Sequence, residues 1–270
     1  MHKTMNFFFA MCGRYILVQK AEVIEKTFQI TIPQHIDYQP SYNISPGNRA
    51  LVVTSDQPRE AQLMVFGLTP SWAQKPMYLI NARAEGDHNP DNLTTYSGAK
   101  GIITKPAFRK PIRSQRCLVP ADAFIEGTTA EKLAKPFLIY LRGRKPFAFA
   151  GIWDEWINRE TGEILKSFAI ITTVANPLLA MLPHHRSPVI LEKEMEAGWL
   201  RGTHLDDITW MLQPYPAEKM NGYPISNLIK NPKARGKELI EPAGERLMPE
   251  EAVQGTTRLD LHGMGRYKFR

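Results

Sequence analysis

Phe147-Ala148-Phe149-Ala150-Gly151-Ile152 is an apolar run. It is followed by Trp156-Ile157-Asn158, a Thr161-Gly162 pair, and Ser167-Phe168-Ala169-Ile170-Ile171-Thr172-Thr173-Val174. Short runs rich in aromatic and β-branched residues and bounded by turn formers read as strands. Thr161-Gly162 therefore joins 156–158 to 167–174 as a hairpin. Upstream, Phe137–Leu141 and Phe147–Ile152 flank Gly143 and Pro146, which predicts a second hairpin.

The same signature recurs in both directions. Strands are expected over Tyr15–Val18, Ala50–Thr54 and Gln62–Phe66, from Cys117-Leu118-Val119-Pro120, over Val189–Leu191 and over Tyr223–Ser226. The helical patterns between them are short. Ala21–Phe28 carries Ile24 and Phe28 on one face, and Asn176–Leu182, Glu192–Leu200 and Leu205–Leu212 complete the set. Many short strands with short helices between them predict an α+β single domain on a curved antiparallel or mixed sheet, or a barrel core. No internal repeat or linker divides the chain. The expected domain is 12–242, with 1–11 a removable leader or mis-assigned start and 243–270 a charged, mobile tail.

The 270 residues are 43% hydrophobic, with a mean hydropathy of −0.31. No apolar run approaches the ~20 residues of a membrane span, and Phe7-Phe8-Phe9-Ala10 is too short for a signal-peptide core. Two cysteines, Cys12 and Cys117, argue against a disulfide framework and for a reducing cytoplasm. Zinc-type Cys/His spacing is missing, so neither metal nor cofactor is expected. A net charge of +7 and a pI near 9.3 favour anionic partners, nucleic acid first.

Several residues carry chemistry. In Met11-Cys12-Gly13-Arg14-Tyr15, removal of everything through Met11 would give Cys12 a free α-amine beside its thiol. Both groups keep reactive fractions near neutral pH, and together they capture an aldehyde as a thiazolidine. An isolated cysteine here reads more simply as the start of a strand, so other residues must decide. Trp72, in Gly67-Leu68-Thr69-Pro70-Ser71-Trp72, is by default a buried loop pin, with base stacking as the alternative. Asn81 and Arg83 are two apart and share a side of extended backbone, where amide and guanidinium could hold a sugar-phosphate.

Lys100 to Arg116 is strongly basic, with Phe108 among the cations. It is either a solvated surface or a phosphate-tracking face. Cys117 is expected to be a buried structural thiol. Glu126, after apolar residues, is a paired surface charge or a partly desolvated acid with a raised pKa. His184 and His185 are surface residues or proton shuttles. Lys230, Lys233, Arg235 and Lys237 form a second basic stretch.

Six blocks in one order resemble the SOS response-associated peptidase family of abasic-site processing proteins. They are 11–15, Tyr42-Asn43-Ile44-Ser45-Pro46-Gly47, Asn81-Ala82-Arg83-Ala84-Glu85, Arg116 through Glu126, His184 through Leu191, and Gly236 through Pro242. The resemblance implies an abasic-site sensor in single-stranded DNA that crosslinks through the amine and thiol of Cys12. Asn81, Glu126 and His184 fall on its catalytic positions. Arg83, Arg14, Asn43, Pro46 and Trp72 fall on its DNA-contacting ones. It also implies leader removal in cis, a lyase side activity, and a monomer in the cytoplasm that joins the nucleoid when DNA is damaged. Two departures stand out: His184-His185-Arg186 where the family commonly has His-Asp-Arg, and Gly127 where it has Trp. The first leaves His184 and His185 both open. An N-terminal-nucleophile thiol peptidase or amidohydrolase would use the same Cys12 but needs no basic stretches. A non-covalent single-stranded DNA-binding protein would use Cys12 only structurally.

Overall fold

A computed structural model describes residues 13–128, 132–182 and 185–250. In chain order its elements begin with β1 (Tyr15–Leu17), α1 (Ala21–Phe28), β2 (Ser41–Ile44), β3 (Arg49–Thr54), β4 (Ala61–Phe66) and β5 (Asn81–Arg83). Next come α2 (Pro111–Ser114), β6 (Arg116–Ala121), β7 (Ala123–Thr128), β8 (Lys132–Leu141), β9 (Phe147–Ile157) and β10 (Ile164–Val174). The chain continues through α3 (Pro177–Ala180), β11 (Arg186–Pro188), β12 (Ile190–Leu191), α4 (Glu196–Arg201), α5 (Leu205–Trp210) and β13 (Met220–Pro224).

Near-continuous apolar runs suit strands covered on both faces, and β9 and β10 use that property to close a barrel. β10 pairs with β9 antiparallel and with β4 parallel, β4 with β3, β3 with β6, and β6 with β9. The ring of five is complete, with no free edge. Gly151 lies within it, opposite Cys117 on one side and Ile170 on the other. A Cβ there would stand 2.8 Å from both Cys117 Sγ and Val119 Cγ2. Cys117 is fully buried and unbridged, as the sequence predicts, and burial pushes its thiol pKa up.

A second, antiparallel sheet runs β13-β8-β7-β1-β2. Alternation divides its two faces. Tyr15, Leu17, Phe124 and Ile139 join the barrel-side core, with Tyr15 edge-on to Phe66 and Phe149 at 5.7 and 5.8 Å. Ile16, Ile125, Leu138 and Tyr140 form the opposite cluster with Tyr223, Ile229 and Leu239. The chain crosses from barrel to sheet at Asp122. Its Oδ2 accepts from Val18 N at 2.6 Å and Gln19 N at 3.2 Å, fixing the end of β1. Burial raises this carboxyl to about 6 against the pull of those hydrogen bonds.

The 156–158/167–174 hairpin forms as β9–β10, with Ile157 opposite Ile164. The other expected hairpin does not form. β8 pairs with β7 and β13, whereas β9 pairs with β6, β10 and β12. The turn is real, with Gly143 and Arg144 at positive φ and Arg144 N donating to Leu141 O. It passes the chain from one sheet to the other, because both strands already have partners there. Residues 243–250 run along β13, where Ala243 N and Leu247 N donate to the carbonyls of Pro224 and Gly222. Among the described residues no helix is long and apolar enough to cross a membrane.

The crowding at Gly151 has a measurable consequence. Gly151→Ala should lower the unfolding free energy by about 1–3 kcal/mol through overpacking, read from denaturant midpoints. Cys117→Ala in the same chain should recover part of that loss, since the two side chains compete for one space.

Candidate active site and nucleic-acid interface

The functional region is built where β10 leaves the barrel. Its first half pairs with β4 and β9; beyond them, β5 continues on the β4 side and β11 on the β9 side. Parallel pairing sets Asn81 against Ile170 and Arg83 against Thr172. Ala82 is buried, whereas Asn81 and Arg83 are partly exposed, so the two share a face as their spacing predicts.

β11 brings in a partner that the spacing of motifs does not suggest. Arg186 donates through Nη2 to Glu85 Oε2 at 2.8 Å and to Thr172 Oγ1 at 3.1 Å. Glu85 is fully buried, and its Oε1 accepts from the Thr173 hydroxyl at 3.2 Å. Arg83 Nε stands 3.7 Å from Glu85 Oε2, yet Arg83 Nε and Nη2 make no hydrogen bond among the described residues. Two guanidinium groups thus face one carboxylate, leaving an excess of positive charge, with the Arg83 side chain partly exposed and Glu85 buried. Burial alone would raise Glu85, but the charge and hydrogen bond of Arg186 hold it below the usual carboxylate range. Arg83 is lowered by burial and then by Arg186.

Glu126 lies on β7, buried at 3% exposure, opposite Phe137. Its burial decides against the surface-charge alternative. β1 runs antiparallel beside it: Tyr15 pairs with Phe124, and Ile125 N donates to Arg14 O at 2.9 Å. That register, continued by one more residue, sets Gly13 opposite Glu126. Cys12 and His184 lie outside the described residues. His185 is exposed, and its carbonyl accepts from Ala175 N.

Arg14 and Asn43 come together, 2.7 Å from Nη1 to Oδ1. Asn43 is fully buried, and its amide donates to the carbonyls of Asn231 at 2.9 Å and Ala234 at 3.3 Å. Arg14 Nη2 donates to Lys230 O at 2.8 Å. The two side chains therefore hold the backbone of the second basic stretch, whose Lys230, Lys233 and Arg235 side chains are exposed. Pro46 is partly buried in the turn after β2, where Ser45 N and Oγ both donate to Asn48 Oδ1.

Trp72 is 54% exposed, against the default of a buried loop pin. Its neighbours are the pinned ones. Ser71 N donates to Asp154 Oδ2 at 2.8 Å, and Trp156 Nε1 donates to Ala73 O at 2.7 Å. Trp156, 6% exposed, is the buried tryptophan that fixes this loop. Trp72 stands out between the two anchors, with Nε1 3.3 Å from Pro106 O.

The first basic stretch splits. Arg116 is buried and donates to the carbonyls of Trp199, Ile112, Arg113 and Gly202, so it ties α4 and α2 to the barrel instead of facing a phosphate. Lys105 pairs with Asp87. Lys100 is half-buried, and its carrier loop is bonded to the carbonyls of Ala84 and Glu85 through Ile102 N and Gly101 N. Among the described residues no group of three or more His, Cys, Asp or Glu is arranged to hold a metal ion.

With this geometry in view, comparison with known proteins gives consistent results. The family model described as SOS response associated peptidase (SRAP) matches residues 11–232. The Bacillus subtilis protein named abasic site processing protein YoqW is 38% identical over 240 residues, covering 86% of this chain and 99% of its own. Abasic site processing protein YoaM of the same organism is 36% identical over 240 residues, covering 86% of this chain and 98% of its own. A crystal structure of a Bacteroides thetaiotaomicron protein superposes with a TM-score of 0.69 at 30% identity, covering 83% of this chain and 97% of that one.

Glu85→Ala should cost about 3–5 kcal/mol of stability at neutral pH, because the buried Arg186 charge loses its carboxylate. The pH dependence follows from a depressed folded-state pKa. The stabilisation is full above the unfolded value, roughly 4.3, and is lost as pH falls through the folded one. The difference between wild type and Glu85→Gln in denaturant midpoint should therefore be largest at neutral pH and shrink as pH drops below about 4.

Proposed function

We propose a function that proceeds from family: the chain belongs to the SOS response associated peptidase (SRAP) family, and it captures abasic sites in single-stranded DNA as a covalent adduct on Cys12. Relatives at 38% and 36% identity carry the name abasic site processing protein. The observation that carries the reading is the burial of Glu126 alongside the entry of β1. A buried carboxyl group beside the strand that follows Cys12 in sequence suits the proton transfers to and from an amine and an aldehyde.

The chemistry runs in two steps. An abasic sugar opens to an aldehyde. The Cys12 α-amine adds to C1, water leaves, and a Schiff base forms. The thiol of the same residue then adds to that carbon and closes the thiazolidine, an intramolecular step favoured by its high effective molarity. Glu126 moves protons during opening and water loss. His184 assists ring opening, with His185 as its rival. Asn81 orients the amine or the sugar oxygen.

The strand is held on either side. Arg83, sharing a face with Asn81 and still partly exposed, takes a phosphate, supported by its pairing with Thr172 beside Arg186. Arg14 and Asn43 act by fixing the loop of Lys230, Lys233 and Arg235, whose exposed cations supply long-range attraction. Trp72 covers a base next to the lesion, and Pro46 borders the entry of the strand. The same Schiff base permits β-elimination as a slow lyase side reaction, and the same residues would remove residues 1–11 in cis. Until the leader is gone the amine is an amide and no ring can form.

A heat-stable protein–DNA adduct should form when protein beginning at Cys12 meets abasic single-stranded DNA. Cys12→Ala should abolish it, and Glu126→Gln should slow it about 10²–10⁴-fold, as expected for loss of a general acid–base. Denaturing gels over time read both. Turnover of peptides in trans without any DNA adduct would overturn the proposal in favour of a thiol peptidase.

A further inference from the structure

A cleft of 360 Å³ opens between the loop at 98–103 and the helix α5, outside every residue assigned so far. Its walls include Lys100 and Ile103 on one side and Asp206, Thr209, Trp210 and Gln213 on the other. That volume falls at the small end of ligand clefts. Trp210 is 63% exposed, more than any other large hydrophobic side chain among the described residues. An indole left so open in a helix offers an aromatic face for a flat partner.

The cleft is joined to the charge cluster on β5 and β11 by two structural links. The loop of Lys100 is bonded to the backbone of Ala84 and Glu85, and Lys100 lies close enough to Glu85 and Arg186 for their charges to act on it. On the side of α5 the buried Thr173 hydroxyl sits between Glu85 Oε1 at 3.2 Å and the carbonyl of Leu212, just past that helix, at 3.4 Å. The cleft and the charge cluster are thus held in one frame, and Lys100 belongs to both, lining the cleft and feeling the charges of Glu85 and Arg186.

Charge within the cleft is divided. Lys100 is at the end facing the cluster, and Asp206 is beside Trp210. A phosphate is drawn to the first and repelled by the second. A neutral base with polar edges suits the second, where the Asp206 carboxylate, the Thr209 hydroxyl and the Gln213 amide offer acceptors and donors. We propose that this cleft is a subsite for an unpaired nucleobase of the lesion-bearing strand, stacked on Trp210, with its adjoining phosphate at Lys100. The proposal rests on the single-stranded DNA reading above and extends it to nucleotides beyond the lesion. With a free nucleotide or a protein segment as the natural occupant, Trp210→Ala would leave the binding of all three strands below unchanged.

The test uses full-length protein and labelled single strands that carry a tetrahydrofuran abasic analogue, which lacks the aldehyde, so that binding is read apart from crosslinking. Three strands are compared by anisotropy: one extended on both sides of the lesion, one ending at it on the 5′ side, and one ending at it on the 3′ side. Trp210→Ala should raise the Kd of the doubly extended strand about 5- to 100-fold, the worth of one stacked base. It should do the same for only one of the two truncated strands. Trp210→Phe should restore most of the affinity, and Lys100→Ala should make the salt dependence shallower by about one unit of slope. Equal weakening of all three strands, or none, would overturn the subsite. If wild-type protein neither binds these strands nor crosslinks a true abasic site, the parent reading fails. Normal crosslinking with no length dependence at Trp210 removes the cleft alone.

Discussion

One strand does two jobs, and the rest of the molecule depends on that division. The first half of β10 is locked between β4 and β9 and closes the barrel. The second half runs on beyond the ring and collects β5 and β11. Closure makes the first half rigid, because no edge is left to fray. The continuation then presents Asn81, Arg83 and Arg186 from a base that cannot shift without opening the ring. Glu85 completes this arrangement. A buried carboxylate bonded to Arg186 and close to Arg83 keeps two like charges together that would otherwise repel.

The second sheet supplies the other half of the site. Asp122 pins the end of β1, and the pairing of Tyr15 with Phe124 sets its register. A slip of one residue would exchange Tyr15 and Ile16 between the barrel-side core and the opposite cluster. The aromatic contacts of Tyr15 with Phe66 and Phe149 oppose such a slip. The distance in sequence between Gly13 and Glu126 is thus spanned by a single, well-determined strand pair.

Local features were legible in the sequence, and long-range ones were not. The β9–β10 hairpin, α1, the shared face of Asn81 and Arg83, and the buried thiol of Cys117 all follow from periodicity or composition. The 137–152 hairpin fails because a turn signal says that the chain bends, not which sheet receives it. Trp72 is exposed where a buried loop pin is the default, and Trp156 on β9 takes that role, since the anchors at Asp154 and Ala73 arise only when β9 is in place. Arg116 reads as one more surface cation until α4 supplies the Trp199 carbonyl. Glu85 sits inside a recognisable block, but its partner Arg186 is 101 positions away. Spacing carries no sign of that pair.

The central claim is that the amine and thiol of one residue, Cys12, together hold the DNA. Intact-mass and peptide mass spectrometry of the adduct with a true abasic strand tests it most directly. The account predicts a mass equal to protein beginning at Cys12 plus the strand, less one water, with the modification on the peptide that starts at Cys12. An adduct on a lysine, or one that forms equally well while Met11 still precedes Cys12, would contradict it.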